Sequence, residues 1–284
     1  MTSQLKTALL LGALTAIIVL IGRAIGGPGG MVIAFIIAVA MNVGSYWYSD
    51  KIVLRMYKAK ELAEHDAPAI HKMVDDLARE AGIPKPKLML VPQQQPNAFA
   101  TGRSPSNAVV AVTQGIVQTL SPEELKGVIA HEMGHIKNRD ILIQSIAAVL
   151  GGAIMILANI AQFTAIFGGM GGNDDEGGNP IAALALAIIA PFAAMLIQMA
   201  ISRSREYLAD RTGAALCHHP EHLASALEKI SAHAQRQPMK GANPATENMF
   251  IISPFSAGRA AHLFATHPPV EDRVARLRSM AGKV

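Results

Sequence analysis

Long runs without charged residues alternate with polar stretches along this chain. Residues 7–22 and 31–48 contain no Asp, Glu, Lys or Arg, and each approaches the roughly 20 residues with which a helix crosses a bilayer. A short glycine-rich turn at 23–30 separates them. Two further apolar runs, at 141–172 and 180–201, flank an acidic loop. The pattern therefore predicts four transmembrane helices arranged as two hairpins.

Composition supports a membrane protein and leaves one rival interpretation. Hydrophobic residues make up 51% of the chain and the mean hydropathy is +0.30, which is too apolar for an ordinary soluble domain. The rival is a soluble protein in which the runs form buried core helices, but their length favours membrane spans. The runs at 141–172 and 180–201 contain no ionisable side chain, which disfavours an ion or proton transporter.

Cysteine content and net charge exclude some kinds of site and partner. The single Cys217 cannot form a disulfide within the chain or provide a multi-cysteine zinc site, so any zinc must bind His and carboxylate side chains. The net charge of +4 is modest, and no basic stretch is interleaved with aromatic residues. We therefore expect no nucleic-acid partner.

Charges beside the apolar runs predict orientation. Tyr46, Trp47 and Tyr48 end the second run, as an interfacial aromatic belt does, and four basic residues follow between positions 51 and 60. The loop at 173–179 carries three acidic residues and no Lys or Arg. By the positive-inside rule, the polar segments and both termini face the cytoplasm. The first run is expected to be retained rather than cleaved as a signal peptide, because a second span follows at once.

This layout divides the chain into four segments. Residues 1–50 form an N-terminal transmembrane hairpin, and 51–140 form the first part of a cytoplasmic catalytic domain. Residues 141–201 form a second hairpin, and 202–284 complete the catalytic domain. The predicted fold class is a mainly α membrane protein, with four transmembrane helices and a cytoplasmic α+β zincin-like domain that contains a small β-sheet.

Between the hairpins, the pattern predicts one amphipathic helix and a small sheet. Apolar residues at helical spacing indicate a helix over 60–82, ended by Gly82. Short strands are predicted at 87–91 and 108–112, with a polar segment between them. Residues 97–102 form either part of an ordinary hairpin loop or an exposed sheet edge.

In the second interpretation, Asn97, Ala98 and Phe99 would bind an extended peptide. Main-chain pairing with a sheet edge depends little on side-chain sequence. That property suits a protease.

The stretch at 121–140 carries the strongest chemical signal. Ser121, with Pro and Glu in the following turn, is a helix-start signature. On the predicted helix His131 and His135 are four residues apart, so both imidazoles project from one face and can hold one ion. Glu132 lies beside them, which is the arrangement of zinc peptidases, where the carboxylate accepts a proton from the attacking water. Gly134 costs about 1 kcal/mol of helix stability relative to Ala, which indicates a close approach by another element.

A third metal ligand must come from elsewhere in the chain. Glu206 and Asp210 are four residues apart and share a face of a predicted helix. One carboxylate can complete a His-His-carboxylate zinc site while the other orients an imidazole. Because arginines alternate with the pair, an ordinary salt-bridged helix face is the other interpretation.

Further histidines near the C-terminus are ambiguous. His267 or Arg273 either reaches the site and stabilises the oxyanion of the tetrahedral intermediate, or serves as a helix cap and surface charge. His218, His219 and His222 accompany Cys217, but Pro220 is predicted to open a new helix among them. We interpret these residues as a surface cluster.

Taken with these residues, the motifs HEMGHIKNRD, SRSREYLAD, NAFATG and HPPVEDR give a resemblance over essentially the whole chain. The chain resembles the HtpX-type membrane zinc metalloproteases, gluzincins related to the Ste24 CAAX-processing proteases. The resemblance implies that His131, His135 and Glu206 bind one zinc ion, that Glu132 is the catalytic base, and that Asp210 braces a ligand.

The same resemblance implies a role and a place. The expected function is cleavage of misfolded or surplus membrane proteins and unfolded polypeptides at the cytoplasmic face of the bacterial inner membrane, as part of quality control and the stress response. A membrane-anchored zinc scaffold or chaperone is the non-enzymatic alternative, in which Glu132 is dispensable. These patterns indicate neither the natural substrates nor the oligomeric state.

Overall fold

The computed structural model describes residues 3–150, 203–239, 241–255 and 267–283. Most of the predicted second hairpin, 141–201, therefore lies outside the described residues. The helices are α1 Ser3–Met56, α2 Pro68–Ala81, α3 Gln114–Thr119, α4 Pro122–Lys137, α5 Ile141–Leu150, α6 Arg203–Cys217, α7 Pro220–Arg236 and α8 Val270–Arg278. The strands are β1 Lys60–Glu61, β2 Lys87–Val91, β3 Ala98–Gly102 and β4 Ala108–Thr113, and short 3-10 turns cover Pro105–Asn107 and Pro244–Met249.

The first two apolar runs form the long element α1, which bends back on itself. Gly26 and Gly27 leave the helical backbone conformation, and Gly27 has a φ of 60°. The Asn42 side chain donates to Thr15 Oγ1 at 2.7 Å and to the Leu11 carbonyl at 3.3 Å, so the two arms lie side by side. This contact joins polar groups within an otherwise apolar pair of helices.

Within the described residues, one helix is long and apolar enough to cross a membrane, at Gly26–Met56. Thr7–Leu20 and Ile141–Leu150 are shorter apolar helices. Large apolar side chains such as Ile33 and Ile36 are exposed along the long helix, as expected for a surface that faces lipid. The mainly helical fold is thus confirmed, while the four predicted spans are not.

A four-stranded mixed sheet packs against helix α4. The strand order is β1-β2-β4-β3, with β2 and β4 parallel and the outer strands antiparallel to their neighbours. The predicted strands at 87–91 and 108–112 are therefore neighbours rather than the arms of a hairpin. Between them in sequence, β3 forms the sheet edge, and all five of its residues are buried.

The amphipathic helix is shorter than predicted. It begins at Pro68 rather than near residue 60, because Lys60 and Glu61 pair with β2 as the short strand β1. It ends as predicted, at Gly82, which adopts a left-handed conformation with a φ of 67°.

Helix α4 is the centre of the soluble part. Nearly every residue from Glu124 to Ile136 is buried, since the helix contacts α2, α6, α7 and β3. The main hydrophobic core surrounds it and includes Val128, Ile129 and Met133. Such enclosure keeps water away from the polar groups that α4 carries.

Candidate metal centre

The start of α4 is defined by a complete capping box. Ser121 Oγ accepts a hydrogen bond from the Glu124 backbone N–H, and Glu124 Oε2 accepts one from the Ser121 backbone N–H. The other contacts of Glu124 reach α7, where Ser225 Oγ donates to Oε1 at 2.6 Å and Lys229 Nζ donates to Oε2 at 2.9 Å. The capping box and the contacts of Glu124 to α7 therefore both set the position of α4.

Two glycines allow α6 to pack closely against α4. A Cβ atom on Gly213 would lie 2.7 Å from the His131 backbone nitrogen, and one on Gly134 would lie 3.0 Å from the Ala209 carbonyl oxygen. Both distances are shorter than ordinary carbon contacts. The close approach expected from Gly134 is thus present, and it brings the carboxylates of α6 to the histidine face of α4.

The contact assembles three potential metal ligands. His131 Nε2 and His135 Nε2 are 3.2 Å apart, and Glu206 reaches both, at 3.5 Å from His135 Nε2 and 3.8 Å from His131 Nε2. One donor atom from each residue lies within 4.8 Å of the others. Across the described part of the chain, no other group of three His, Cys, Asp or Glu side chains could hold an ion in this way. The cluster at residues 217–222 accordingly forms no such group.

These donors fit a zinc ion by their chemistry and by their unmet hydrogen bonding. Two imidazoles and one carboxylate form a ligand set typical of catalytic zinc. Glu206 Oε2 and Glu132 Oε2 are buried and have no hydrogen-bond partner among the described residues. Since buried carboxylate oxygens are normally satisfied, a cation held by His131, His135 and Glu206 would account for the unpaired oxygen of Glu206.

His131 is braced from α6 and from the C-terminal helix α8. Its Nδ1 lies 2.9 Å from Asp210 Oδ1, which leaves Nε2 directed at the ligand cluster. Arg273 donates to both oxygens of Asp210, from Nε at 2.9 Å and from Nη2 at 2.7 Å. Burial opposes ionisation of Asp210, yet Arg273 and His131 lower its pKa to about 2. The carboxylate is therefore charged and holds the imidazole in one tautomer.

His135 is braced by Asp140, a residue that sequence reasoning left without a role. His135 Nδ1 lies 3.4 Å from Asp140 Oδ2, and Arg205 Nη1 lies 3.9 Å from Asp140 Oδ1. The available signal was an acidic residue five positions after the second histidine, just past the end of α4. Both imidazoles thus contact a carboxylate through Nδ1, as metal-binding histidines normally do.

The pKa values of the two imidazoles shift in opposite directions. Burial lowers the pKa of His131. Burial also opposes charge on His135, but the carboxylates of Glu206, Asp140 and Glu132 outweigh it and raise the pKa to about 9. The pocket is therefore negative enough to attract a cation.

Glu132 is enclosed beside the ligands. Burial raises the pKa of its carboxyl to about 7, and the negative charge of Glu206 acts in the same direction. The Ala100 backbone acts in the opposite direction and lowers this pKa, because β3 packs against α4 beside Glu132. A carboxyl that titrates near neutrality can both accept and release a proton.

His267 and Arg273 lie at different distances from the ligand cluster. His267 Nε2 contacts the Glu247 carbonyl at 3.0 Å, so its Nδ1 faces Glu206 Oε2 at 3.4 Å. Burial opposes charge on His267, but Glu206 raises its pKa overall. Arg273 Nη1 donates to the Ile251 carbonyl at 2.8 Å and lies 4.0 Å from Glu206 Oε2.

The three residues predicted to bind a peptide strand are buried. The Asn97 side chain donates to the Ile252 carbonyl at 2.9 Å, and the Ala98 carbonyl accepts from the Ile251 N–H at 3.1 Å. Phe99 packs in an aromatic cluster with Tyr57 and Phe250. The polar groups of Asn97 and Ala98 are thus engaged by the chain itself, which sequence patterns did not indicate.

Comparison with known proteins agrees with this chemistry. The model of Peptidase family M48 matches residues 64–281. Among similar chains, the Protease HtpX homolog of Syntrophobacter fumaroxidans is 56% identical over 99% of this chain and 100% of its own length. The homolog of Persephonella marina is 56% identical over 99% and 98% of the two chains, and that of Pyrococcus furiosus is 55% identical over 97% and 95%.

A solved structure shares the fold. The crystal structure of S. mikatae Ste24p matches with a TM-score of 0.50 at 17% identity, covering 87% of this chain and 57% of that protein. The likeness concerns the architecture alone, whereas the family match covers both the α4 motif and the α6 carboxylates. The chain belongs to Peptidase family M48, as an HtpX-type membrane metalloprotease.

Proposed function

We propose that the protein is a zinc endopeptidase of the bacterial inner membrane, which cuts misfolded or surplus membrane proteins at the cytoplasmic face as part of a stress response. The observation that carries the proposal is the buried cluster of His131, His135 and Glu206, with Glu132 beside it and the edge strand β3 in contact with that Glu. Metal donors, a proton acceptor and a potential peptide-binding edge thus occur together.

The donor set favours zinc as the metal. His131, His135 and Glu206 would hold one ion. Zinc would supply Lewis-acid chemistry, which acidifies a water molecule and polarises a peptide carbonyl. Asp210 and Asp140 keep the two imidazoles oriented for binding, since each contacts an Nδ1 atom.

Protein side chains perform the proton transfers. Glu132 would accept a proton from the attacking water and pass it to the leaving nitrogen of the cleaved bond. His267 lies beside the cluster with Nδ1 toward Glu206, which raises the pKa of the imidazole, and the protonated form would stabilise the developing oxyanion. Arg273 is engaged by Asp210 and Ile251, so we assign to it the positioning of His131 through Asp210.

The position of the site beside a membrane helix supports membrane-protein substrates. Val53 and Tyr57, at the end of α1, are buried in one cluster with Phe99 of β3. The metal donors therefore lie at the same end of α1 as the four basic residues between positions 51 and 60. By the positive-inside rule this end is cytoplasmic, so the natural substrate is an extended cytoplasmic segment of a nearby chain.

The test compares cleavage by the unmodified protein and a Glu132→Gln variant in zinc-loaded proteoliposomes. The substrate is a membrane protein with an unfolded cytoplasmic segment. Loss of the general base is expected to lower the cleavage rate about 10²–10⁴-fold, while zinc content by elemental analysis stays at one ion per chain. Glu123→Gln is the matched control, because Glu123 is exposed on the same helix.

Two results would contradict the proposal. Undiminished cleavage in Glu132→Gln would remove this residue from the mechanism. Full zinc content in a Glu206→Ala variant would mean that another residue provides the third ligand. A topology measurement with a membrane-impermeant label on an introduced cysteine near residue 64 tests the cytoplasmic placement separately.

A further inference from the structure

One part of the outer edge of β3 lies beside the candidate site, and another part is bonded to a different segment of the chain. The Asn97 carbonyl accepts from the N–H of Thr113, the last residue of β4, and the Asn97 N–H donates to Thr113 Oγ1, so alternation directs the main-chain groups of Ala98, Ala100 and Gly102 away from β4. Ala100 lies beside Glu132, where β3 packs against α4, and its backbone lowers the pKa of that carboxyl. The Ala98 carbonyl, two residues away, is already bonded to the Ile251 N–H at 3.1 Å.

The segment that occupies this end of the edge, residues 246–252, is here named the edge cap. A second hydrogen bond holds it to the strand, from the Asn97 side chain to the Ile252 carbonyl at 2.9 Å. Phe250 of the cap is 1% exposed, and its ring packs edge-to-face on Phe99 with centroids 5.3 Å apart. The cap therefore contacts β3 through both main chain and side chain.

The end of the membrane helix anchors the cap from the other side. The ring of Tyr57 packs edge-to-face on Phe250 with centroids 5.2 Å apart. Its hydroxyl hydrogen-bonds to Thr246 Oγ1 and accepts from the Asn243 N–H. Tyr57 is only 4% exposed, so these contacts are shielded from water.

The cap also supports the C-terminal residues of the site. Its carbonyl at Glu247 contacts His267, and its carbonyl at Ile251 accepts from Arg273. Displacing the cap would therefore break bonds to β3, to the end of α1 and to two residues beside the metal donors. We expect it to stay in place while the peptide binds.

We propose that the edge cap sets the register and the one-sided binding of the substrate. The proposal rests on the peptidase function above. A peptide that pairs antiparallel with β3 places the residues before its scissile bond along Ala100 and Gly102. The residues after the scissile bond would meet Ala98, whose carbonyl the cap has taken, so they leave the sheet edge.

Selectivity follows from this geometry. Main-chain pairing adds binding energy for residues that precede the cut and little for those that follow it. The enzyme would then select segments that are extended before the cut, whatever the length or structure of the part that follows.

A peptide series on the unmodified, zinc-loaded protein tests the register. Starting from a short cleaved peptide, one residue at a time is added before or after the scissile bond, and kcat/KM is measured. Additions before the bond are expected to raise kcat/KM several-fold each over the first two or three residues, whereas additions after the first residue on the other side change it less than twofold. Equal gains on both sides would overturn the proposal.

Hydrogen exchange at the Ile251 amide provides a readout that needs no activity. The amide is expected to exchange slowly in the free protein and to stay protected when a non-cleavable peptide is bound. Fast exchange in the free protein, or loss of protection on peptide binding, would overturn the proposal, because either result means that the Ala98 carbonyl becomes available.

A Tyr57→Phe variant loosens the cap while keeping its aromatic packing. Without the hydroxyl contacts to Thr246 and Asn243, exchange at Ile251 is expected to rise about tenfold, and additions after the scissile bond should begin to raise kcat/KM. Tyr48→Phe is the matched control, since Tyr48 is on the same helix and 55% exposed. Unchanged exchange and selectivity in Tyr57→Phe would show that the Tyr57 hydroxyl does not anchor the edge cap. If the unmodified protein cuts no peptide at all, the peptidase proposal fails, and the exchange experiment still decides whether the cap is closed.

Discussion

The two imidazoles of the metal site receive the same kind of support from different distances along the chain. His135 is braced by Asp140, five residues away, at 3.4 Å. His131 is braced by Asp210, which is 79 positions later, at the shorter distance of 2.9 Å, and Arg273 from a third helix holds that carboxylate with two hydrogen bonds.

The difference shows how each half of the site depends on the rest of the fold. The support of His135 forms together with the end of α4. The support of His131 forms only when α6 and α8 have returned to α4, and it buries a charged network that is costly to leave incomplete. We therefore expect perturbations of the distant support to affect folding and metal binding together, and perturbations of the local support to affect mainly metal binding.

Asp210→Ala is expected to lower the free energy of unfolding and the zinc affinity more than the other substitutions. This change removes the closest ion-pair partner of Arg273, which is 1% exposed, and leaves only the longer contact to Glu206 at 4.0 Å. Breaking a buried pair in this way costs about 3–5 kcal/mol, so the free energy of unfolding should fall by that amount and zinc affinity should fall with it. Denaturant unfolding in detergent and zinc titration measure the two quantities.

Asp210→Asn removes the negative charge of this side chain and keeps nearly the same shape. It keeps one oxygen acceptor for Arg273 or His131 and should lose less stability than Asp210→Ala. If Asp210→Ala unfolds like the unmodified protein, the distant support is not a structural element and the comparison fails.

A steric change should have the next largest effect. In Gly213→Ala the new methyl group would lie 2.7 Å from the His131 backbone nitrogen and 2.8 Å from its Cα atom, so α6 must move away from α4. Overpacking of this kind costs about 1–3 kcal/mol, and the displaced Glu206 should bind zinc less tightly. Thermal unfolding and zinc titration are the measurements.

Gly44→Ala is the control for this substitution, since a Cβ there meets nothing within 4 Å. It should leave zinc affinity unchanged. Equal zinc affinity in Gly213→Ala and Gly44→Ala would show that close helix packing does not position the ligands.

A smaller effect is expected for the local support. Asp140→Ala should lower zinc affinity about tenfold, the lower end of the 10–100-fold loss for residues that orient metal ligands. The contact to His135 is longer than that of Asp210 to His131, and Arg205 lies 3.9 Å from this carboxylate. Competition with a fluorescent chelator measures the affinity, and a loss of stability equal to that of Asp210→Ala would contradict the distinction between the supports.

The smallest effect is a pH dependence at the start of α4. Burial opposes ionisation of Glu124, but hydrogen bonds from Lys229, Ser225 and the Ser121 backbone outweigh it and lower the pKa of its carboxyl. A lowered folded-state pKa contributes stability that is present above the unfolded pKa of about 4.3 and is lost as pH falls through the folded value. The free energy of unfolding should thus fall by about 1 kcal/mol in acid.

Glu124→Gln tests this contribution, because it cannot titrate. Its unfolding free energy should depend less on pH below about 4 than that of the unmodified protein. Identical acid profiles for the two proteins would show that this contact does not stabilise the helix start.

Local features of the chain allowed much of α4 to be predicted. The capping box at Ser121 and Glu124 and the close approach at Gly134 both occur in the structure. The helix start at residue 60 was wrong, because pairing of Lys60 and Glu61 with β2 overrides the helical pattern that continues from them. Family membership and metalloprotease activity were also predictable, since the α4 motif and the α6 carboxylates are specific in combination.

Other features could not be predicted from local patterns alone. Asp140 had no predicted role, and only the folded chain shows it facing His135. The edge cap follows no hydrophobic period and adopts a 3-10 turn over Pro244–Met249, so its hydrogen bonds to β3 could not be inferred.

The amino-acid sequence by itself determined the apolar membrane helix at Gly26–Met56, the central helix and the two histidines on one face, because these depend on contacts within a few residues. Only the tertiary structure decided which carboxylates support which imidazole and what occupies the edge of β3. Those outcomes depend on close packing between segments far apart in the chain, and the periodicity of neighbouring residues contains no record of such contacts.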